Sequence, residues 1–250
     1  MMISNNEIKR IRSLQQKKFR DESGLFVVEG EKMVQEALAS SFEVEAVYRR
    51  DEIGEDAMKK ISSLANTSPA LAVVRKPADI YDFTADTPFT RGLFIGLDTI
   101  RDPGNLGTIL RIADWFGIDA VFASKDTVDV FNPKVVQATM GAIFRVKLHY
   151  VDLTEISRMI LGSGGKVYGT FLDGGNIYSR ELDNGSDSPV MIVTGNESEG
   201  ISEGIRELVS DKLYIPPYPA GDPGSESLNA AVATAVTVAE FRRRNHINNL

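Results

Sequence analysis

Residues 189–194 read Pro-Val-Met-Ile-Val-Thr, an apolar and mostly β-branched run between turn-forming stretches. Such a run is too short for a buried helix, and with apolar side chains on both sides of the pleat it cannot leave one face in water. It is therefore a central strand, covered above and below, in a mostly parallel sheet. Its neighbours fit. Strands are predicted at Leu93–Leu97, Ala120–Ala123, Phe144–Leu148, Val167–Thr170 and Lys212–Ile215. Helices are predicted near Leu106–Phe116, Pro133–Thr139, Thr154–Leu161, Glu203–Val209 and Ser227–Arg243. Strands alternating with helices make an α/β fold, whose ligands bind beyond the carboxyl ends of the strands. The turns after Leu97, Thr194 and Ile215 are thus the candidate site.

A smaller α/β unit precedes this one. Helices are expected at Asn5–Gln16, Glu31–Ala39 and Ile53–Ala65, and strands at Leu25–Val28, Val44–Tyr48 and Leu71–Val74. Pro77–Pro88 lacks periodicity and reads as the connector. The expected division is a first domain over 1–80, a linker over 81–90 and a second domain over 91–250.

The chain has no cysteine, which removes disulfides, thiolate metal sites and the cysteine nucleophile of pyrimidine C5 methyltransferases. No run approaches the ~20 apolar residues of a membrane span, and the first residues lack a signal peptide's apolar core, so a cytoplasmic location is expected. His149 and His246 are isolated, so no metal is expected. Gly162–Lys166 has neither the spacing nor the position of a phosphate loop. Ile215-Pro216-Pro217-Tyr218 lacks the polar first residue that amino-group methyltransferases need. The net charge is −7, yet residues 1–24 carry Lys9, Arg10, Arg12, Lys17, Lys18 and Arg20 against three acids, a local +3. With Lys32, these cations are either candidate nucleic-acid contacts, because phosphate neutralisation dominates nucleic-acid affinity, or a solvated helix face.

Each candidate turn has a bland reading by itself. In 98–111, Asn105 is a potential helix cap, Gly107 allows close approach, and Arg111 lies six residues on. In 194–200, Thr194-Gly195-Asn196-Glu197-Ser198-Glu199-Gly200 follows a strand and presents backbone N–H groups. In 215–229, Ile215-Pro216 leads to Ser227-Leu228-Asn229 and a helix of small residues.

Together, Asn105-x-Gly107-x-x-x-Arg111, Gly195-Asn196-Glu197-x-x-Gly200, and Ile215-Pro216 with Ser227-Leu228-Asn229 resemble the SpoU (TrmH-like) RNA 2′-O-ribose methyltransferases of the SPOUT class. The resemblance covers roughly Leu93–Arg243. Phe26-Val27-Val28-Glu29-Gly30 with Lys32 and Val34, and Ala72–Pro77, resemble the family's ribosomal-protein-like substrate-binding domain. The resemblance implies a C-terminal α/β trefoil knot, a homodimer joined at the closing helix, and S-adenosylmethionine as cofactor. It implies cofactor contacts at Thr194, Gly195, Asn196, Gly200, Ile215, Pro216 and Leu228. It assigns Arg111 to the 2′-hydroxyl, either as base or as stabiliser of the alkoxide, with Asn105, Glu197, Ser227 and Asn229 orienting the reactants. Ribosomal RNA is the expected substrate; a transfer-RNA 2′-O-methyltransferase and a non-catalytic RNA-binding or assembly protein are the alternatives. The Pro217–Ser225 insertion is longer than the family's usual loop, with Ser225 as a possible substitute contact.

Overall fold

The structure, a computed structural model, describes residues 3–81, 83, 89–219 and 227–247. In chain order the elements are α1 (Asn5–Ser13), α2 (Lys17–Ser23), β1 (Leu25–Glu29), α3 (Glu31–Ala39), β2 (Val44–Arg49), α4 (Arg50–Ile53), α5 (Glu55–Ile61) and β3 (Ala70–Arg75). Then come β4 (Gly92–Leu97), α6 (Pro103–Trp115), β5 (Ala120–Ser124), α7 (Pro133–Thr139), β6 (Leu148–Val151), α8 (Leu153–Gly162) and β7 (Lys166–Asn176). The chain closes with β8 (Pro189–Thr194), α9 (Glu203–Arg206), β9 (Asp211–Tyr214) and α10 (Ala230–Ile247). Two compact units result, Met1–Ala78 with Asp129–Arg145, and Asp79–Val128 with Val146–Leu250.

The smaller unit is an antiparallel sheet in the order β1-β3-β2. Leu25 and Val27 of β1 pack with Leu71 and Val73 against Ile11 and Leu14, beside α1, and Met58 and Ile61 of α5. Side chains alternate across a strand, so Phe26 and Val28 point to the other face. There Phe26 meets Phe131, ring centroids 4.7 Å apart, and α3 packs on the sheet with buried Met33, Val34 and Ala37. Helices on both faces explain why all five residues of β1 are buried.

The segment 129–145, read from sequence as part of the larger domain, groups with this unit through Arg20. That side chain is 2% exposed. Its Nε and Nη2 donate to Asp129 Oδ2 at 3.2 and 2.7 Å, and Nη1 donates to the carbonyls of Leu14 and Gln15 at 2.9 Å each. Arg20 is thus a structural tie, which corrects its expected role as an RNA contact: a guanidinium with its donors spent inside the protein has none for phosphate. Arg20→Ala leaves Asp129 buried without its cation. It should cost about 3–5 kcal/mol, read as a drop in the denaturant midpoint; a loss under about 1 kcal/mol would contradict the assignment.

The larger unit is a six-stranded parallel sheet in the order β6-β5-β4-β8-β7-β9. All six residues of β8 are buried, as a central strand requires. One face packs Phe94, Phe122, Met191 and Val193 against Ile156 and Ile160 of α8 and Ile205 of α9. α10 packs with α6 and against β8. Although β9 is at the sheet's edge, the chain returns to the centre for its last helix. Arg242 fastens that helix by donating to the carbonyls of Phe116 and Gly117 at 2.8 and 2.5 Å, at the C-terminal end of α6.

Several predicted elements differ from the observed ones. α1 ends at Ser13 and a separate α2 follows; the expected helix 53–65 is two helices that meet at Gly54. The predicted strand 144–148 is a short 3-10 turn (Ala142–Phe144) followed by β6 at 148–151. α6 starts at Pro103 instead of Leu106, with Asp102 as its cap; Asp102 Oδ1 accepts from the Asn105 N–H at 2.8 Å. α10 starts at Ala230 and is capped by Asn229, whose Oδ1 accepts from the N–H groups of Ala231 and Val232. Of the expected linker, residues 82 and 84–88 lie outside the described residues. So does 220–226, which contains Ser225. Among the described residues, no helix is long and apolar enough to cross a membrane.

Candidate active site

Three chain turns converge at the carboxyl ends of β4, β8 and β9. Beyond β4, the buried Asp98 ties the first turn to the second. Its N–H donates to the Thr194 carbonyl at 2.9 Å, and its Oδ2 accepts from the Ser202 N–H at 2.7 Å. Thr99 follows at φ +61°, an uncommon conformation for a β-branched residue. It is held by its N–H on Ser124 Oγ and by Asn196 Nδ2 on its carbonyl, both at 2.9 Å.

The second turn is built around Asn196, 7% exposed. Its Oδ1 accepts from the N–H groups of Ser198 and Glu199 at 2.9 and 3.1 Å and from Ser198 Oγ at 2.8 Å. Its backbone exchanges both hydrogen bonds with Gly200, at 3.0 and 2.9 Å. The turn is so tight that a Cβ on residue 195 would lie 2.3 Å from the Gly200 carbonyl carbon; only glycine fits. Gly200 has φ +72°, the left-handed region that glycine enters without cost.

Side chains from all three turns meet in one hydrogen-bonded chain. Asn229 Nδ2 donates to Asn105 Oδ1 at 2.8 Å, and Asn105 Nδ2 donates to Glu197 Oε1. These residues are 124 and 92 positions apart in sequence. Thr194 Oγ1 and Thr234 Oγ1, 2.9 Å apart, join β8 to α10 beneath them.

Next to this chain lies a cleft of about 500 Å³. Of the expected cofactor contacts, Thr194, Gly195, Asn196, Gly200, Ile215 and Leu228 line it, and Pro216 does not; of the expected catalytic residues, Glu197 and Ser227 line it. Asn105 and Asn229 reach it through Glu197. Arg111 is exposed on α6 outside the cleft of its own chain, with no hydrogen-bond or ion-pair partner among the described residues.

The sequence reading missed one wall. Thr170 and Gly175 of β7 both pair with Leu213 of β9, so residues 171–174 bulge out of the ladder. The bulge places Phe171, Leu172 and Asp173 along the cleft beside Arg206. Arg206 and Lys212 flank the Phe171 ring at 5.2 and 5.1 Å and both reach Asp173 at 3.2 Å. The hydrogen bond from Lys212 holds the Asp173 carboxyl below its usual pKa. The signal available was Asp173-Gly174-Gly175, which reads only as a turn.

In the smaller unit, Lys9, Arg12 and Lys32 are exposed, while Arg10, Lys17 and Lys18 pair with Glu7 and Glu45, Asp21, and Glu22. His149 is an interior residue, with Nδ1 3.1 Å from the Asp79 carbonyl and its ring against Phe83 and Phe122. No group of three or more His, Asp or Glu among the described residues is placed to hold a metal.

Comparison with known proteins places this geometry in a family context. Residues 92–239 match the SpoU rRNA Methylase family, and residues 5–76 match the MRM3-like substrate binding domain. The chain is 32% identical over 253 residues to the 23S rRNA (guanosine(2553)-2′-O)-methyltransferase RlmP of Bacillus subtilis, covering 95% of this chain and 96% of that one. A solved TrmH-family protein from Porphyromonas gingivalis superposes with a TM-score of 0.85 at 37% identity, covering 98% and 100% of the two chains. An AdoMet-bound rRNA methyltransferase from Sinorhizobium meliloti superposes at 0.84 with 29% identity, covering 98% and 97%. The larger unit therefore has the SPOUT α/β-knot fold that the sequence resemblance implied.

Proposed function

The chain belongs to the SpoU rRNA methylase family, and from that premise we propose that it transfers a methyl group from S-adenosylmethionine to a ribose 2′-hydroxyl of ribosomal RNA. The observation that carries this reading is the Asn229–Asn105–Glu197 chain, which joins three distant turns at the mouth of one cleft. Ribosomal RNA is favoured over transfer RNA by the relatives named above, and a cytoplasmic enzyme follows from such a substrate.

The cleft suits the cofactor. Its volume falls within the ~300–1,000 Å³ of small-molecule sites. Phe171, Leu172, Ile215 and Leu228 offer an apolar surface to a flat base, and Glu197 offers a carboxylate to hydroxyl and ammonium groups. When bound, S-adenosylmethionine supplies an electrophilic methyl whose departure leaves a neutral thioether. The protein must then orient the ribose and offset the charge that appears on its 2′-oxygen. Asn105, Glu197, Ser227 and Asn229 supply the orientation. Arg111 supplies the charge: its guanidinium is a cation with N–H donors and no acceptor atom, so it stabilises the alkoxide as it forms while the hydroxyl's proton passes to solvent water.

Arg111 has to reach a cleft that its own chain does not bring to it, and a homodimer provides the route. α10 carries Val232, 48% exposed, on its outer side, and the α6 that it packs on ends in Trp115, 85% exposed. Apolar side chains of this size on adjoining helices suit a second copy as their cover. The second copy then receives Arg111 in its cleft.

Incubation with tritiated S-adenosylmethionine and a bacterial 23S rRNA transcript should label the RNA, with the label recovered in alkali-resistant dinucleotides. Label released as a methylated base would contradict ribose methylation, and an unlabelled transcript would contradict this substrate.

A further inference from the structure

We propose that the groove between α1 and α5 of the smaller unit, lined by Arg12, Lys59 and Lys60, holds consecutive phosphates of the RNA backbone; this rests on the methyltransferase reading above. The chain as a whole carries −7, so attraction to a polyanion has to come from a local excess of positive charge. The excess is found here. Arg10, Lys17, Lys18 and Arg20 all pair with acids. Arg12 and Lys60 have no ion-pair partner among the described residues, and Lys59 has only an exposed contact with Glu55 at 3.8 Å. Asp56 is the single acid among the lining residues, which also include these three cations.

The rest of the lining indicates which part of the RNA fits. The groove has a volume of about 590 Å³, and Gln15, Ser62 and Ser63 complete its wall, with no apolar or aromatic side chain among the lining residues. Base recognition in single strands uses aromatic platforms, so this surface is suited to the backbone alone. The floor is fixed from below. Glu29, 5% exposed, accepts from Ser62 Oγ at 2.5 Å, from the Ser63 N–H at 2.8 Å and from Ser63 Oγ. This is the glutamate of the Phe26–Gly30 stretch, to which the methyl-transfer site gives no role. A floor held in this way lowers the ordering cost of binding.

The test compares Lys59→Ala/Lys60→Ala with Lys134→Ala/Lys166→Ala, two exposed lysines outside the groove, so that both proteins lose the same charge. The probe is a 23S rRNA transcript, titrated at several salt concentrations. The groove double should bind about tenfold more weakly near 0.1 M salt, and its slope of log K against log salt should flatten by about 1.5, from two phosphate contacts at ~0.7–0.9 each. The second double should keep the wild-type slope, and S-adenosylmethionine affinity should be unchanged in both. A groove double with the wild-type slope, or a second double that loses as much, overturns the groove alone. A wild-type chain without affinity for RNA overturns the methyltransferase reading and the groove together.

Discussion

Arg111→Ala is expected to slow methyl transfer by about 10²–10⁴-fold while leaving S-adenosylmethionine affinity within about twofold. The size follows from the chemistry: a ribose hydroxyl is a poor nucleophile until its developing charge is met, and removing a preorganised group that meets it costs this much. The selectivity follows from its role: Arg111 is not among the residues that line the cleft of its own chain, and the guanidinium brought by the second copy is assigned to the ribose oxygen, not to the cofactor. Stability should hardly change, because the side chain is exposed and unpaired among the described residues. Single-turnover rates with saturating cofactor, next to equilibrium titration of the cofactor, separate the two effects. Equal losses of rate and of cofactor affinity would move Arg111 from the chemistry to the pocket.

Gly195→Ala is expected to do the opposite and weaken cofactor binding by at least ~100-fold. The new methyl would stand 2.3 Å from the Gly200 carbonyl carbon and 2.4 Å from both the Gly200 oxygen and the Ile201 nitrogen. These are backbone atoms and cannot rotate away. Nor can they easily retreat. Asn196 and Gly200 exchange two backbone hydrogen bonds, and the next strap, Ser202 N–H to Asp98, is buried at its acceptor. The turn must open, and with it the wall that carries Thr194 to Ile201. Titration calorimetry reads the loss, and cofactor binding within about threefold of wild type would contradict the geometry. The sheet beneath, with β8 buried at every residue, keeps the protein folded.

How much of this was legible in the sequence depended on the range of the interaction. β8 was readable as central because six successive apolar or β-branched residues admit little else. The cap of α6 was there to be read in Asp102 before Pro103, the favoured pairing at a helix start, although the sequence reading placed the potential cap at Asn105. Asn105 instead spends its side chain on Glu197 and Asn229, contacts that no local pattern encodes and that only the family resemblance brought together. Arg20 looked like one more surface cation because its partner, Asp129, is 109 residues away. The bulge of Phe171–Gly174 was hidden for a related reason, since the register that creates it belongs to β9, some forty residues on. Lys59 and Lys60 fall inside a predicted helix and carry no signal of their own; the groove exists only because α1 and α5 pack side by side.

Service of one copy's cleft by a guanidinium from another can be measured directly. The Arg111→Ala and Gly195→Ala chains, each inactive alone, are co-purified as a mixed dimer through two different tags and assayed for methyl transfer to 23S rRNA. One site of that dimer would combine an intact cleft with an intact Arg111 from the other chain, so about half of the wild-type activity should return. A mixed dimer as inactive as its parents would mean that Arg111 serves its own chain's cleft, and would rule out a site shared between copies.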